Sequence, residues 1–455
     1  MLRKKERAML RLPKLRNLDE SLTVKFVLPV IMENSLTIFI GLAISQIIST
    51  ISSSALAAIG MANTIMTVVS AFFSMVTTGT SIMVARQIGA RENQEAAESI
   101  EQSTFMSAVV TILIMIVCIT FASPILRLLM PTAEDSLFGE AVGYFRVIMT
   151  SLPFLVLHGV FSGVCRGLGN SRMPMITAIA MNLCQLLVAW ITISCLQLNE
   201  IGAGVAIVVC RVLGTSILFI TLMRDHRRFV LKVRNMLRPN RQTCMRILRI
   251  GVPVSFESVF VQLGYMLGNS MAISLGTFES GVYQIINTVN TFTSLPQGIG
   301  STIATSAVGH LLGRKNYKGA KKAGWTIWAL GLGISLLLGL TAYALGTPIS
   351  SIYSEDPATI AESARLLWIL IFMNATGMSI NAIDPQLRVG GDVKYVMTTT
   401  LIAVWGIRLP LTYFMCFHWN FGVLGIFLAN TISLVFRTIT GLVRYCGTKW
   451  MYKKV

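Results

Sequence analysis

Residues 29–33 read Pro29-Val30-Ile31-Met32-Glu33, and residues 253–257 read Pro253-Val254-Ser255-Phe256-Glu257. The second segment opens a copy of the first. Asn63-Thr64 returns as Asn287-Thr288, and Ser70, Val84, Gly89 and Ala96 return as Ser294, Val308, Gly313 and Ala320. Every pair is 224 residues apart, close to half of the 455-residue chain. The spacing holds without a gap across two predicted helices and their loop, all in apolar sequence. Duplicated membrane halves place a site at their shared boundary, and each copy here carries a carboxylate at the same depth.

Composition fixes the class. Hydrophobic residues make up 54%, charged residues only 13%, and the mean hydropathy is +0.68. A soluble domain carries about 25% charged residues. Apolar stretches of roughly 20 residues or more recur, each long enough to cross about 30 Å of hydrocarbon. The ten-residue alternation of a membrane barrel is absent. The chain therefore reads as an all-α membrane protein. Its twelve expected spans lie near 24–50, 55–84, 100–123, 138–161, 174–197, 201–223, 248–273, 279–307, 324–347, 363–385, 394–417 and 421–445.

The net charge of +18 would suit nucleic acid, but its distribution points to topology. Residues 1–25 hold eight Lys/Arg, 224–249 nine, 310–322 five and 444–455 four, together 26 of the 38. With twelve spans these segments share one side with Arg86, Arg91, Arg166, Arg172, Arg388 and Lys394. Glu134, Asp135, Glu140, Glu200, Glu279, Glu355, Asp356 and Glu362 fall on the other. The positive-inside rule then puts both termini in the cytoplasm of a plasma-membrane protein. Anionic membrane lipid, not nucleic acid, is the partner of the charge. The first apolar stretch, about 27 residues, is too long for a cleavable signal and has no A-x-A site. The eight cysteines match no metal motif and no disulfide framework.

The chain divides into a basic segment (1–23), a six-helix bundle (24–223), a basic linker (224–247), a second six-helix bundle (248–445) and a tail (446–455). Six spans per half is even, so the halves insert in the same orientation, and two pseudo-symmetric bundles around a central cavity are expected. Later segments correspond less strictly. Arg166-Gly167-Leu168-Gly169-Asn170-Ser171-Arg172 resembles Arg388-Val389-Gly390-Gly391-Asp392-Val393-Lys394 at an offset of 222, and Asn199-Glu200-Ile201-Gly202 resembles Asn420-Phe421-Gly422.

Several ordered motifs resemble the multidrug and toxic compound extrusion (MATE) family over nearly the whole chain. In the first half they are Leu28-Pro29-Val30-Ile31-Met32-Glu33, Ala55-Leu56-Ala57-Ala58-Ile59-Gly60, Ala85-Arg86-Gln87-Ile88-Gly89 and Cys165-Arg166-Gly167-Leu168-Gly169. The second half adds Gly251-Val252-Pro253, Val308-Gly309, Gly313, Leu387-Arg388-Val389-Gly390-Gly391-Asp392 and Trp405-Gly406-Ile407-Arg408-Leu409-Pro410. The resemblance implies a cation-coupled antiporter that expels amphipathic organic molecules. Two positions depart from it. Ile44 stands where many members carry a first-helix Asp, and Val261 stands where sodium-type members carry a Glu.

The site residues are therefore sought in the chain itself. A carboxylate facing lipid costs at least about 2.5–3.5 kcal/mol, so Glu33 and Glu257 must face protein, water or a cation. Either suits a proton or sodium ion. Each also has a plain alternative, an ion pair with an arginine. Asp384, beside Pro385, has no acidic counterpart in the first half and is a third coupling candidate. Asn63 and Asn287 repeat and offer amide oxygens. Arg146, Arg211 and Arg408 lie within spans, and the expected partners are Glu33, Glu257 and backbone carbonyls. Should Arg211 or Arg408 line the cavity, anionic substrates gain weight. Met66 and Met266 belong to a set of methionines suited to promiscuous apolar contact, with core packing as the default. His158 is a titratable ring in an apolar helix.

No phosphate-binding loop, zinc-protease or nucleophile-elbow motif is present. The sequence reading is thus a non-enzyme with no cofactor and no metal: a secondary transporter for a small-molecule substrate, coupled to H+ or Na+ and monomeric because it carries its own pseudo-dimer. The rival is a flippase for a lipid-linked glycan, which the missing first-helix Asp fits.

Overall fold

In the computed structural model, residues 40, 53–129, 135–224, 231, 233–236 and 238–452 are described. The first expected span, with Glu33 and Ile44, lies outside them except for Ile40. The first half continues with α1 (Ser53–Ala90), α2 (Asn93–Thr120), α3 (Asp135–Thr150), α4 (Leu152–Gly167), α5 (Arg172–Trp190) and α6 (Asn199–Arg224). The second half holds α7 (Arg241–Ser274), α8 (Thr277–Thr293), α9 (Leu295–Gly313), α10 (Tyr317–Ala344), α11 (Pro357–Leu366), α12 (Ile369–Val389), α13 (Val393–Leu401) and α14 (Gly422–Cys446). Among the described residues, nine helical stretches are long and apolar enough to cross a membrane. The tenth is α11 with α12, bent by 45°.

The repeat is visible in the backbone. Helix α2 and helix α10 begin and end 224 residues apart. Arg91 and Lys315 both adopt a left-handed φ, 66° and 57°, in the turns that precede them. Gly169 and Gly391, 222 apart, do the same at 79° and 95°. The last correspondence is corrected by two to three residues: Gln197 and Asn199 share left-handed φ with Asn420 and Gly422, an offset of 223. The π-helical stretches Ile191–Cys195 and Phe414–His418 precede these turns in the two halves.

The copies also differ. Helix α1 runs unbroken over 38 residues, whereas its counterpart is split into α8 and α9 at Ser294. The cause is local. Pro296 has no N–H to give a helical carbonyl, and the matching position in α1 is Phe72. Helix α7 starts at Arg241, inside the stretch read as linker, capped by the Asn240 side chain on the Gln242 N–H (2.9 Å). Linker and α2 are tied together, with Gln102 donating to the Arg238 carbonyl (2.9 Å) and accepting from the Asn240 N–H (2.8 Å).

Two hydrophobic cores belong to one half each, around Phe73, Tyr144 and Phe145 in the first and around Tyr283, Leu370 and Phe427 in the second. A third joins the halves. It packs Ile82 and Met83 of α1 against Ile247, Ile250 and Val254 of α7 and Val308, Leu311 and Leu312 of α9. This joint lies at the end of the bundle that carries the basic turns.

The backbones approach closely here because the facing residues are small. A Cβ placed on Gly251 would sit 2.7 Å from the Met75 carbonyl carbon, and one on Gly89 would sit 2.8 Å from the Cα of His310. The repeat mate of the Gly89–His310 contact is Gly313 against Arg86. Hydrogen bonds obey the same two-fold relation: Arg86 donates to the Val389 carbonyl (3.3 Å), and His310 Nε2 meets the Gly167 carbonyl. Ser74 and Ser258 hydroxyls (3.1 Å) and the Ser255 hydroxyl on the Phe72 carbonyl (2.7 Å) complete the seam.

Overfilling this seam is therefore costly. Gly251→Leu is expected to destabilise the protein by about 1–3 kcal/mol, read as a lowered Tm in detergent by tryptophan fluorescence. Gly333→Ala, where an added Cβ meets nothing within 4 Å, should leave the Tm unchanged or raise it slightly.

Candidate functional site

The sequence places a carboxylate one turn after Pro253 on α7, and the fold delivers it to a buried meeting point of four helices. Glu257 is 4% exposed and Asp384 of α12 is 6% exposed. Arg388 lies one turn beyond Asp384 on the same helix face. Its Nη2 donates to both oxygens of Glu257 at 2.8 Å. From α14, Arg437 Nη2 donates to Asp384 Oδ2 at 2.6 Å and to Glu257 Oε1 at 3.2 Å. The Thr400 hydroxyl of α13 adds a further donor to Glu257 Oε1 at 2.9 Å. Two carboxylates and two guanidinium groups thus form one neutral network.

A cavity of about 270 Å³ opens on this network, lined by Glu257, Asp384, Arg388, Arg437 and a set of amides. Two of those amides, Gln297 and Asn381, join with Asn374 to brace the break between α8 and α9. Gln297 donates to Asn374 (3.1 Å), Asn374 donates to the Thr293 hydroxyl (2.9 Å), and Asn381 donates to Gln297 (3.3 Å). Val261 lines the same cavity. The acidic group of this helix therefore stands one turn earlier than the resemblance implies, on the same face.

The other expected site residues are spread out. Asn63 is exposed on α1, Asn287 is half-buried on α8, and neither lines this cavity. Met66 is packed into the first-half core and does not face the cavity. Met266 is 49% exposed, beside the cavity-lining Tyr265 but not among the lining residues. Arg211 donates to the Ser151 hydroxyl at 2.5 Å in the first half. Arg408 is buried, its guanidinium 4.3 Å over the Tyr265 ring. Arg146 is exposed. The expectation that in-span arginines pair with Glu257 holds for different arginines than those named, because α7 turns Glu257 toward α12 and α14, away from Arg211 and Arg408. Arg437 went unremarked although it is a lone basic residue deep within the last apolar span. That solitude was the signal.

A second cavity, about 380 Å³, sits directly above the closed seam. Its walls come from α1 and α4 of one half and α9 and α12 of the other, in matched positions. Its lining includes Thr77 and Ser301, Thr78 and Thr302, Ser81 and Thr305, and Arg166 and Arg388, each pair being repeat mates. The cavity is therefore centred on the pseudo-two-fold axis. His158 and Ser162 also line it, and Arg388 borders both cavities.

With this geometry in place, known proteins can be compared. The MatE family model matches residues 29–191 and 253–414, the two halves in turn. The probable multidrug resistance protein NorM of Thermotoga maritima is 25% identical, over 95% of this chain and 93% of that protein. The uncharacterized transporter YisQ of Bacillus subtilis is 24% identical, over 93% and 94%. Among solved structures, the outward-facing conformation of a multidrug resistance MATE family transporter of the MOP superfamily overlays with a TM-score of 0.86. It shares 19% identity and covers 94% of this chain and 96% of that one. A MOP superfamily transporter from Pyrococcus furiosus, described as having a binding pocket of reverse polarity that suggests a different function, overlays at 0.84. It shares 20% identity, with 95% and 96% coverage. Both halves match one family model, and the fold, the joint and the cavity on the axis follow the repeat that model spans: the chain belongs to the MatE family of membrane transporters.

Proposed function

We propose that this chain is a proton-coupled antiporter that exports amphipathic organic compounds by alternating access between its halves. In this reading the termini and the closed, basic end face the cytoplasm of a plasma membrane, as the Lys/Arg distribution favours. The observation that carries it is the network of Glu257, Asp384, Arg388 and Arg437. Protonating Asp384 removes the shorter of the two contacts of Arg437 and leaves that guanidinium on Glu257 alone at 3.2 Å. A buried cation that loses a partner is strongly unfavourable, so α14 must shift against α12 or the cavity must take up an anion or water. Arrival of a proton thereby becomes movement.

Sodium suits this site less well. A hard cation needs several free oxygen ligands, and both Glu257 oxygens are already engaged by arginine. The seam at the basic end and the likeness to an outward-facing transporter support a resting state open to the outside. The multidrug-resistance name of NorM supports efflux of organic compounds over transfer of a lipid-linked glycan. Each half supplies the other's partner surface, which supports a monomer.

In proteoliposomes loaded with ethidium or 5-carboxyfluorescein, movement of at least one dye is expected to follow an imposed pH gradient and ignore a sodium gradient. Transport that follows sodium alone would replace the proton, and no gradient-driven transport of any compound would remove the reading. Asp384→Asn is expected to cut gradient-driven transport by about tenfold, within the usual span of a coupling free energy, while dye binding persists. Arg437→Gln strands buried carboxylates and should cost about 3–5 kcal/mol. Asp384→Asn with Arg437→Gln should cost less than the two single changes together, since it removes the pair as a unit. Thermal unfolding of the three variants tests this directly.

A further inference from the structure

We propose that the chamber on the pseudo-two-fold axis holds the anionic group of the transported solute, a carboxylate, sulfonate or phosphate on a soluble organic molecule. This deepens the transport reading above, on which it rests, by naming a substrate class. Arg166 and Arg388 reach the chamber from opposite halves, and among its described lining residues there is no carboxylate. Glu257 engages Arg388 through Nη2 only. The Arg388 Nε is buried with no hydrogen-bond partner among the described residues, and so is Nε2 of His158. An N–H that has left water without finding an acceptor is costly, so the Arg388 guanidinium beside the chamber keeps an unmet donor.

The rest of the wall agrees. The hydroxyls of Thr78, Ser81, Ser162 and Ser301 line the space and are free to turn their protons toward an acceptor. A volume of about 380 Å³ admits a small organic group. Planar guanidinium groups bind oxyanions through paired, charge-assisted hydrogen bonds. Helices α1 and α9 line the chamber and also form the seam beneath it, so an anion drawn to both arginines bridges the two halves just where they close.

The test is direct binding to purified full-length protein, read by fluorescence anisotropy, with 5-carboxyfluorescein and ethidium as separate probes. Saturable binding of carboxyfluorescein, competed by naphthyl phosphate and naphthalene sulfonate, is expected. Arg166→Gln should weaken it by about tenfold or more, and Arg166→Lys by less. Should Arg166→Gln fail to fold, the Ser81→Ala, Ser301→Ala pair keeps the charge and is expected to weaken binding by about threefold or more. Carboxyfluorescein binding that ignores all of these changes would overturn the site. So would binding of dihexanoyl phosphatidate without carboxyfluorescein, which would name a lipid headgroup instead. Proton-driven ethidium transport with no carboxyfluorescein binding would overturn the site and leave the transport reading standing. Arginine-dependent carboxyfluorescein binding with neither dye transported would uphold the site and remove the transport reading.

Discussion

Charge placed inside a membrane-spanning bundle has to be neutralised where it stands, and that requirement organises the second half of this protein. Glu257 and Asp384 come from α7 and α12, Arg388 again from α12, and Arg437 from α14. Each charged group finds its counter-charge on another helix. Separating any two of these helices would expose a buried ion, so the network fixes their mutual position more firmly than apolar contacts could. Apolar contacts are weak arbiters here because lipid tails are as apolar as leucine. The same reasoning makes the network switchable. Adding one proton changes which contacts are favourable without changing any packed residue.

The duplication explains what is common to the halves and the substitutions explain what is not. Arg166 and Arg388 are mates, and both line the chamber on the axis. Asp384 maps onto Ser162, at the offset of 222 that aligns Gly169 with Gly391. Arg437 maps onto Gly214, at the offset of 223 that aligns Gln197 with Asn420. A side chain on Gly214 would run into Met181, so the first half has closed the space that Arg437 occupies in the second. One half thus carries an ion pair that the other has replaced by a hydroxyl and a close helix contact. Two lobes of one ancestry have been given different work, and only one of them holds the titratable pair among the described residues.

Much of the architecture was legible in the sequence because it rests on periodic quantities. The 224-residue repeat, the apolar spans and the one-sided arginines and lysines are all counts, and the helices α2 and α10 obey the repeat to the residue. The break between α8 and α9 was legible only in part, since the copies differ there by Pro296 against Phe72. Site chemistry was half visible. A carboxylate inside apolar sequence is conspicuous, so Glu257 and Asp384 stood out. Their partners depended on which face of α7 turns inward, and no one-dimensional pattern states that when a helix is apolar on all sides. For that reason the sequence leaves Arg408 open between Glu33, Glu257 and backbone carbonyls, and its guanidinium lies over Tyr265. Met66 takes the default reading of a membrane methionine, core packing, among aromatic residues of the first half.

The two cavities share one residue, and coupling has a physical route through it. Arg388 spends one nitrogen on Glu257 and also lines the chamber on the axis. In the proposed mechanism its orientation is set jointly by Glu257 and Asp384 on one side and by whatever fills the chamber on the other. When Asp384 is charged, Arg437 divides itself between Asp384 and Glu257, and Arg388 retains both Glu257 oxygens. When Asp384 is neutral, Arg437 competes for Glu257, and Arg388 is pushed toward the chamber. An anion there would be held more tightly, and a cation less. Linkage makes the relation reciprocal: a ligand that favours one position of Arg388 must favour one protonation state of Asp384 by the same free energy. In the proposed exchange the proton and the solute need no contact with each other, because this one guanidinium borders both sites.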